Sequence, residues 1–200
     1  MSGTYPTTPK PSSIDVSSIE PNFVSVSANL KRQVRSRGAQ RWSFRVNYPP
    51  MKRDEFAPIY SFSLQQRGQY ETFNWVPEVI GVTQGIKTEN PVVDGAVAIG
   101  LRTCSIDGLT ASTNNILKAG DFIKFSGHSK IYMVTSDVNS DGSGDATLNF
   151  SPSLSTAVAN NETITINNVP FVVAFNSDLT SYNIGLSDFC SYSIELIEVP

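Results

Sequence analysis

Between residues 40 and 48 the chain alternates strictly, with Trp42, Phe44, Val46 and Tyr48 on one parity and Arg41, Ser43, Arg45 and Asn47 on the other. Successive side chains of an extended strand point to opposite faces, so this segment predicts a strand with one apolar face and one polar, basic face. Residues 190–199 repeat the pattern. Tyr192, Ile194, Leu196 and Glu198 share one side, and Ser191, Ser193, Glu195, Ile197 and Val199 share the other. Gly38-Ala39 suggests a hairpin turn that would pair residues 30–36 with the strand at 40–48.

Helical periodicity is convincing in one place. After Pro49-Pro50, Phe56, Tyr60 and Leu64 recur at i, i+4 and i+8 with Ile59 alongside, and Gly68 offers a stop. Proline is tolerated in the first helical turn, so either the helix begins close to Glu55 or Pro58 bends it. Residues 70–75 then read as a strand with Phe73 and Trp75 on one face, closed by Pro77. From 81 to 94 the sequence turns polar and glycine-containing, which marks a domain boundary. Candidate strands follow at 96–103, 121–125, 130–136, 146–150, 162–166 and 171–175, spaced for a small barrel or sandwich. The last strand, 190–199, needs a sheet, and the first unit is the simplest host. The expected division is therefore an extended N-terminal arm over 1–22, one domain formed by 23–80 with 176–200, and an inserted β-barrel over 81–175. The fold class is mainly β.

Composition narrows the possibilities. Two hundred residues, 40% of them hydrophobic and 16% charged, suffice for packed cores. Apolar stretches such as 169–175 are far shorter than the roughly 20 residues of a membrane-spanning helix. Residues 1–21 are rich in Ser, Thr and Pro and lack the apolar stretch of a secretory signal. Cys104 and Cys190 lie far apart with no Cys-x-x-Cys spacing, so they indicate neither a disulfide framework nor a zinc site.

Charge is segregated along the chain. Eight of fifteen basic residues (Lys31, Arg32, Arg35, Arg37, Arg41, Arg45, Lys52 and Arg53) precede the next acid, Asp54, whereas from 131 to 200 there is no Lys or Arg. That last stretch carries Asp137, Asp141, Asp145, Glu162, Asp178, Asp188, Glu195 and Glu198. The net charge of −3 conceals this polarity, which would let one copy present a basic surface to the acidic surface of another. The candidate contact residues are Arg35, Arg37, Arg41, Arg45 and Arg53. Basic residues interleaved with Trp42, Phe44 and Tyr48 could also suggest nucleic-acid binding. Alternation instead sends the aromatics to the face opposite Arg41 and Arg45, where they would form core rather than stack bases.

Candidate chemistry is thin. Asp137, Asn139, Asp141 and Gly142 match the opening of a calcium-binding loop, but the twelfth position is Leu148 where a bidentate Glu belongs. A polar hairpin loop explains the same residues, leaving a weak cation site as the alternative. His128 is the sole histidine, so a histidine-based triad or a multi-histidine metal site has little to build on, and it reads as a turn residue bonded to a nearby loop. The expectation is no catalytic set and no cofactor.

Several stretches resemble the distal tail proteins of long-tailed bacteriophages, particularly the compact type with an inserted OB-like barrel. The likeness rests on Tyr48-Pro49-Pro50, on Arg53-Asp54-Glu55-Phe56, and on Gln66-Arg67-Gly68-Gln69-Tyr70. In the second unit it rests on Lys118-Ala119-Gly120-Asp121-Phe122-Ile123-Lys124-Phe125 and His128-Ser129-Lys130-Ile131-Tyr132-Met133-Val134-Thr135, and at the end on Ser193-Ile194-Glu195-Leu196-Ile197-Glu198. The resemblance implies a tail-tube-like β-barrel or sandwich with one flanking helix, plus a small inserted OB-like β-barrel. It also implies a virion structural protein, made in the host cytoplasm and assembled as a homo-hexameric ring at the distal end of the tail. Its partners would be the tail tube protein and tail-tip or baseplate hub proteins, with no membrane and no direct nucleic-acid recognition. A tail tube, tail completion or neck protein is the nearest alternative. A carbohydrate-binding module using exposed aromatics such as Tyr132 or Tyr182 is the alternative from another class.

Overall fold

A computed structural model of the chain describes residues 3–86, 89–185 and 188–200. In chain order the elements are β1 (Ser13–Ile19), β2 (Asn22–Val26), β3 (Arg32–Ser36), β4 (Arg41–Asn47) and α1 (Arg53–Gln65), then β5 (Phe73–Trp75), β6 (Val92–Asp94) and β7 (Thr103–Asp107). They continue with β8 (Phe122–Phe125), β9 (Tyr132–Val134), β10 (Ala146–Ser151), β11 (Ile164–Thr165), β12 (Phe171–Phe175), β13 (Asn183–Ile184), β14 (Cys190–Ser191) and β15 (Ser193–Glu198). Among the described residues the protein is mainly β with one α-helix, as its alternation predicts. The chain divides into two compact units, one of 8–72 with 173–199 and one of 3–7 with 73–172.

The first unit is built on a sheet in the order β1-β4-β15-β12, every pair antiparallel. The alternation read from the sequence is realised side by side: Phe44 stands opposite Leu196 and Val46 opposite Ile194. Trp42, Phe44 and Val46 are buried on β4, as are Ile194, Leu196 and Glu198 on β15. Glu198 is a buried carboxylate, and its Oε2 accepts the Trp42 backbone N–H at 3.1 Å. The helix covers this core through Phe56, Ile59 and Ser63. The Tyr192 hydroxyl donates to Ser63 Oγ at 2.9 Å, and Ser63 donates to the Ile59 carbonyl at 2.9 Å. Burial pushes the Tyr192 phenol up to about 12, with the bond to Ser63 opposing the shift.

Four expectations are corrected in detail. β3 pairs with β2 rather than with β4, because both edges of β4 are taken by β1 and β15. Ser13–Ile19, inside the stretch expected as an extended arm, is the strand β1 on the β4 edge. The helix starts at Arg53 and carries Pro58 inside, and of the predicted stripe Phe56 is buried, Tyr60 half-buried and Leu64 exposed. Steps of four residues drift about 40° each around a 3.6-residue helix, so Leu64 swings out and is exposed, while Ile59 and Ser63 face inward. Finally, of residues 96–103 only Thr103 belongs to a named strand, as the first residue of β7, and β6 ends before the segment begins.

The helix ends where Arg67 and Gly68 take left-handed backbone, with φ of 55° and 64°. Glycine is required at the second position, since a Cβ there would lie 2.9 Å from the Asp178 Cα. At the other end the Lys52 N–H donates to Glu55 Oε2 at 3.1 Å, and Asp54 and Glu55 suit the positive end of the helix dipole.

The second unit is a six-stranded antiparallel sheet in the order β11-β8-β9-β10-β7-β6. It nearly closes on itself. Val92 bridges Thr163, the Val93 N–H reaches the Glu162 carbonyl at 3.0 Å, and the Ile164 N–H reaches the Pro91 carbonyl at 2.9 Å. The interior holds Val93, Ile106, Ile123, Val134, Leu148 and Ile164 around an aromatic triplet. Phe125, Tyr132 and Phe150 meet edge to face at centroid separations of 5.4 to 5.6 Å. Burying three such rings removes enough apolar surface to dominate the energetics of a barrel this small.

Candidate interaction surface

Register decides what each predicted contact residue can touch. β15 runs antiparallel to β4 with Glu195 opposite Arg45, and the Arg45 guanidinium donates to Glu195 Oε1 through Nε at 3.1 Å and through Nη2. Bonding to Arg45 holds the Glu195 carboxyl below its ordinary range, assisted by Asn176. The same pair raises Arg45, with Asp15 on the neighbouring strand adding a smaller push. Glu195 and Glu198 are therefore both engaged by β4 of the same chain. Charge segregated in sequence is here neutralised by strand pairing.

The remaining basic candidates are exposed. Arg41 begins β4 opposite Ile19. Arg35 lies on β3 opposite Phe23, and the Arg37 guanidinium sits 4.7 Å from the Phe23 ring centroid. Arg53 starts α1.

β2 and β3 form an antiparallel ribbon in which every residue is exposed. Val24 pairs with Val34 and Val26 with Arg32, so three valines share one face, and Phe23, Arg35 and Arg37 share the other. The turn is closed by the Ser27 N–H to the Lys31 carbonyl at 3.0 Å and the Leu30 N–H to the Ser27 carbonyl at 2.8 Å. Leu30 occupies the tip with φ of 61° and is 85% exposed. Left-handed backbone is costly for a branched side chain, so a leucine there costs stability as well as exposing apolar surface. The Ser27-to-Lys31 turn lacks a glycine, which is why its sequence did not announce a hairpin. The signal that could have found it is the run Phe23-Val24-Ser25-Val26, rich in β-branched and aromatic residues and alternating through Val24 and Val26.

A groove of 640 Å³ opens along the other side of the helix, lined by Arg53, Phe56, Tyr60, Leu64, Tyr182 and Ile184. Tyr182 packs on Phe56 and Tyr60 at centroid distances of 4.7 and 4.8 Å. Leu64 and Ile184 remain more than half exposed at its rim. The short ribbon of β13 and β14 forms one wall, tied by the pairs Asn183 to Ser191 and Ile184 to Cys190.

The other motifs resolve into architecture. Asp137 Oδ1 accepts the Ala119 N–H, Asn139 Oδ1 accepts the Asn115 N–H, and Asp141 Oδ1 accepts those of Ser143 and Asp145, all at 2.8 to 3.0 Å. These backbone bonds, that from Asp145 first, hold the Asp141 carboxyl low. The three side chains of the calcium-like loop thus staple turns. Among the described residues no cluster of three His, Cys, Asp or Glu could hold a metal ion. His128 is buried, bonded through Nδ1 to the Tyr132 hydroxyl at 3.0 Å, and packs against Phe125. Tyr132 itself is completely buried in the barrel, so of the two aromatics considered for sugar stacking only Tyr182 is accessible. Cys104 and Cys190 are free and buried, and burial lifts the Cys104 thiol to about 12. No helix of the described residues is long and apolar enough to cross a membrane.

Residues 97–169 match the family described as the distal tail protein pb9, B domain. The match falls within the barrel unit and links that unit to the B domain of the phage distal tail proteins. No curated protein matches the chain.

Proposed function

We propose that this chain is a distal tail protein that assembles as a hexameric ring, joining the tail tube to the tip or baseplate. The observation that carries the reading is the family match over residues 97–169, which spans most of the barrel. In support of the ring, the first unit carries an exposed apolar ribbon, β2–β3. In this reading the barrel, residues 81–175, is an OB-like insertion carried by a ring-forming domain made of 23–80 and 176–200. Arg35, Arg37, Arg41 and Arg53 are the exposed cations available to neighbouring subunits, and Arg45 acts through its bond to Glu195. The role is structural, with no step of chemical catalysis.

Gold-labelled antibody against the barrel should decorate one end of the tail of intact particles, the end farthest from the capsid. Native mass spectrometry of the purified protein should show a six-subunit species. Label distributed along the tail, or at the neck, would replace this reading with a tube, completion or neck protein.

A further inference from the structure

Residues 3–5 group by their contacts with 73–172, although the chain that follows them, from residue 8, belongs to the first unit. They lie beside β5 as a short parallel strand, with Thr4 bridging Asn74. The Tyr5 N–H donates to the Asn74 carbonyl at 2.8 Å, and the Asn74 N–H donates to the Gly3 carbonyl at 2.9 Å. Both backbone groups of Asn74 are thereby used. β5 ends its sheet, so without residues 3–5 these groups would form an open edge, the kind of template on which strands of other chains pair.

The segment that closes this edge is anchored by one side chain. Tyr5 is 2% exposed and is the only buried residue of 3–12, and its ring stacks on Phe73 at a centroid distance of 5.7 Å. Gly3 has φ of 107°, a backbone that residues with a Cβ rarely adopt, and Pro6 has no N–H with which to continue the pairing. Thr4, between glycine and tyrosine, is exposed. The edge therefore reads an extended Gly-x-Tyr segment: main-chain bonds supply affinity and the aromatic seat supplies selectivity. Parallel pairing this short is a weak hold, and the core cluster of the barrel includes neither Tyr5 nor Phe73, so the contact can open without dismantling that core.

We propose that the β5 edge is a strand-acceptor site for an extended Gly-x-Tyr peptide segment, held shut in the free chain by the chain's own residues 3–5. Being tethered, these residues compete at an effective concentration in about the millimolar range, so a separate segment of the same chemistry enters once they are displaced or removed. The site does not depend on the ring, and a monomer would carry it too.

A full-length chain lacking only residues 2–7 leaves the edge open, and circular dichroism with thermal melting checks that it folds. A synthetic peptide of residues 3–12 should bind it one to one in calorimetry and shift the Asn74 amide resonance. The peptide carrying Tyr5→Ala should bind at least about tenfold more weakly, the scale of loss when an interface anchor is truncated. The intact chain should not bind the peptide at concentrations that saturate the truncated one, because its site is filled. In the intact chain with Thr4→Cys and Asn74→Cys, oxidation should yield crosslinked monomers; Cys104 and Cys190 are buried, and the single variants control for them. A folded truncated chain that ignores the peptide would overturn the acceptor site, as would equal binding by the intact chain. Covalent dimers in place of crosslinked monomers would overturn the shut state, since one copy's residues 3–5 would then lie on another's β5. Should the truncated chain not fold, full-length Tyr5→Ala is the second variant. It should stay folded and gain peptide binding, and its unfolding would make Tyr5 a core residue and end the proposal.

Discussion

The barrel and the β2–β3 ribbon are both antiparallel β-structure, and they handle apolar side chains in opposite ways. In the barrel strands, Phe125, Tyr132, Phe150, Ile106 and Ile123 are sealed inside, and the apolar residues left exposed, such as Val79 and Ile99, lie in the connections. In the ribbon the exposed apolar residues are in the paired strands themselves. Even the polar loops of the barrel bond inward, through Asp137, Asn139 and Asp141. The barrel buries its apolar side chains within one chain, whereas the ribbon leaves its own exposed. The difference teaches that burial, rather than strand content, separates a scaffold from a contact surface.

The largest way to break that comparison is to excise the barrel. Residues 73–172 expressed alone should give dispersed amide spectra and a cooperative melt, because sheet closure and core lie within them. A random-coil spectrum would show that the barrel depends on the remainder of the chain. Within the intact protein, Phe150→Ala should cost about 3–5 kcal/mol by deleting one ring of the triplet. Phe23→Ala in the ribbon should leave denaturant unfolding of the monomer within about 0.5 kcal/mol of wild type, as exposed substitutions do.

A smaller effect is expected at the helix of the first unit. Ser63→Ala leaves the buried Tyr192 hydroxyl without its acceptor, and should cost about 1–2 kcal/mol in chemical denaturation. Asp141→Ala should lower the melting temperature only slightly, because the turn it staples also has backbone bonds of its own. Micromolar calcium or a chelator should not move the wild-type melt, since the loop carboxylates already accept amide protons. A calcium-induced rise of several degrees, lost in Asp137→Ala, would make the loop a metal site instead.

The smallest effect concerns Arg45 and Glu195, both substantially exposed and screened by solvent. Glu195 has a lowered folded-state pKa, so its contribution is present above the ordinary carboxylate range and is lost as pH falls through the lowered value. Glu195→Gln should therefore melt slightly below wild type at neutral pH. The two should converge once the pH is below the folded pKa, and the gap should shrink in high salt. A gap that widens on acidification would contradict the assignment.

How legible this molecule was depended on the range of the interaction. β4 and β15 were readable because alternation is local, and their parities agree with burial from Trp42 to Val46 and from Tyr192 to Glu198. The pairing of β3 was not, since Gly38 imitates a hairpin turn while the actual turn hides a leucine in left-handed backbone. The charge segregation was read correctly as composition. Its meaning changed at Glu195, where a register across about 150 residues of sequence sets an acid beside Arg45. The groove escaped because Tyr182 and Ile184 are distant in sequence from Phe56 and Tyr60, and only folding brings them together.

The position of β15 carries a consequence for synthesis. It fills the slot between β4 and β12, although the whole barrel is encoded between β4 and the strand that completes its sheet. On the ribosome, β4 emerges early and waits for β15 on the order of ten seconds at ordinary elongation rates. During that wait the barrel can fold from contiguous sequence, while the unit bearing the ribbon and groove lacks its central strand. The groove is also unfinished, since β13 and β14 emerge shortly before β15. A nascent chain thus completes the sheet and the groove of its first unit last, after the whole of the barrel has emerged.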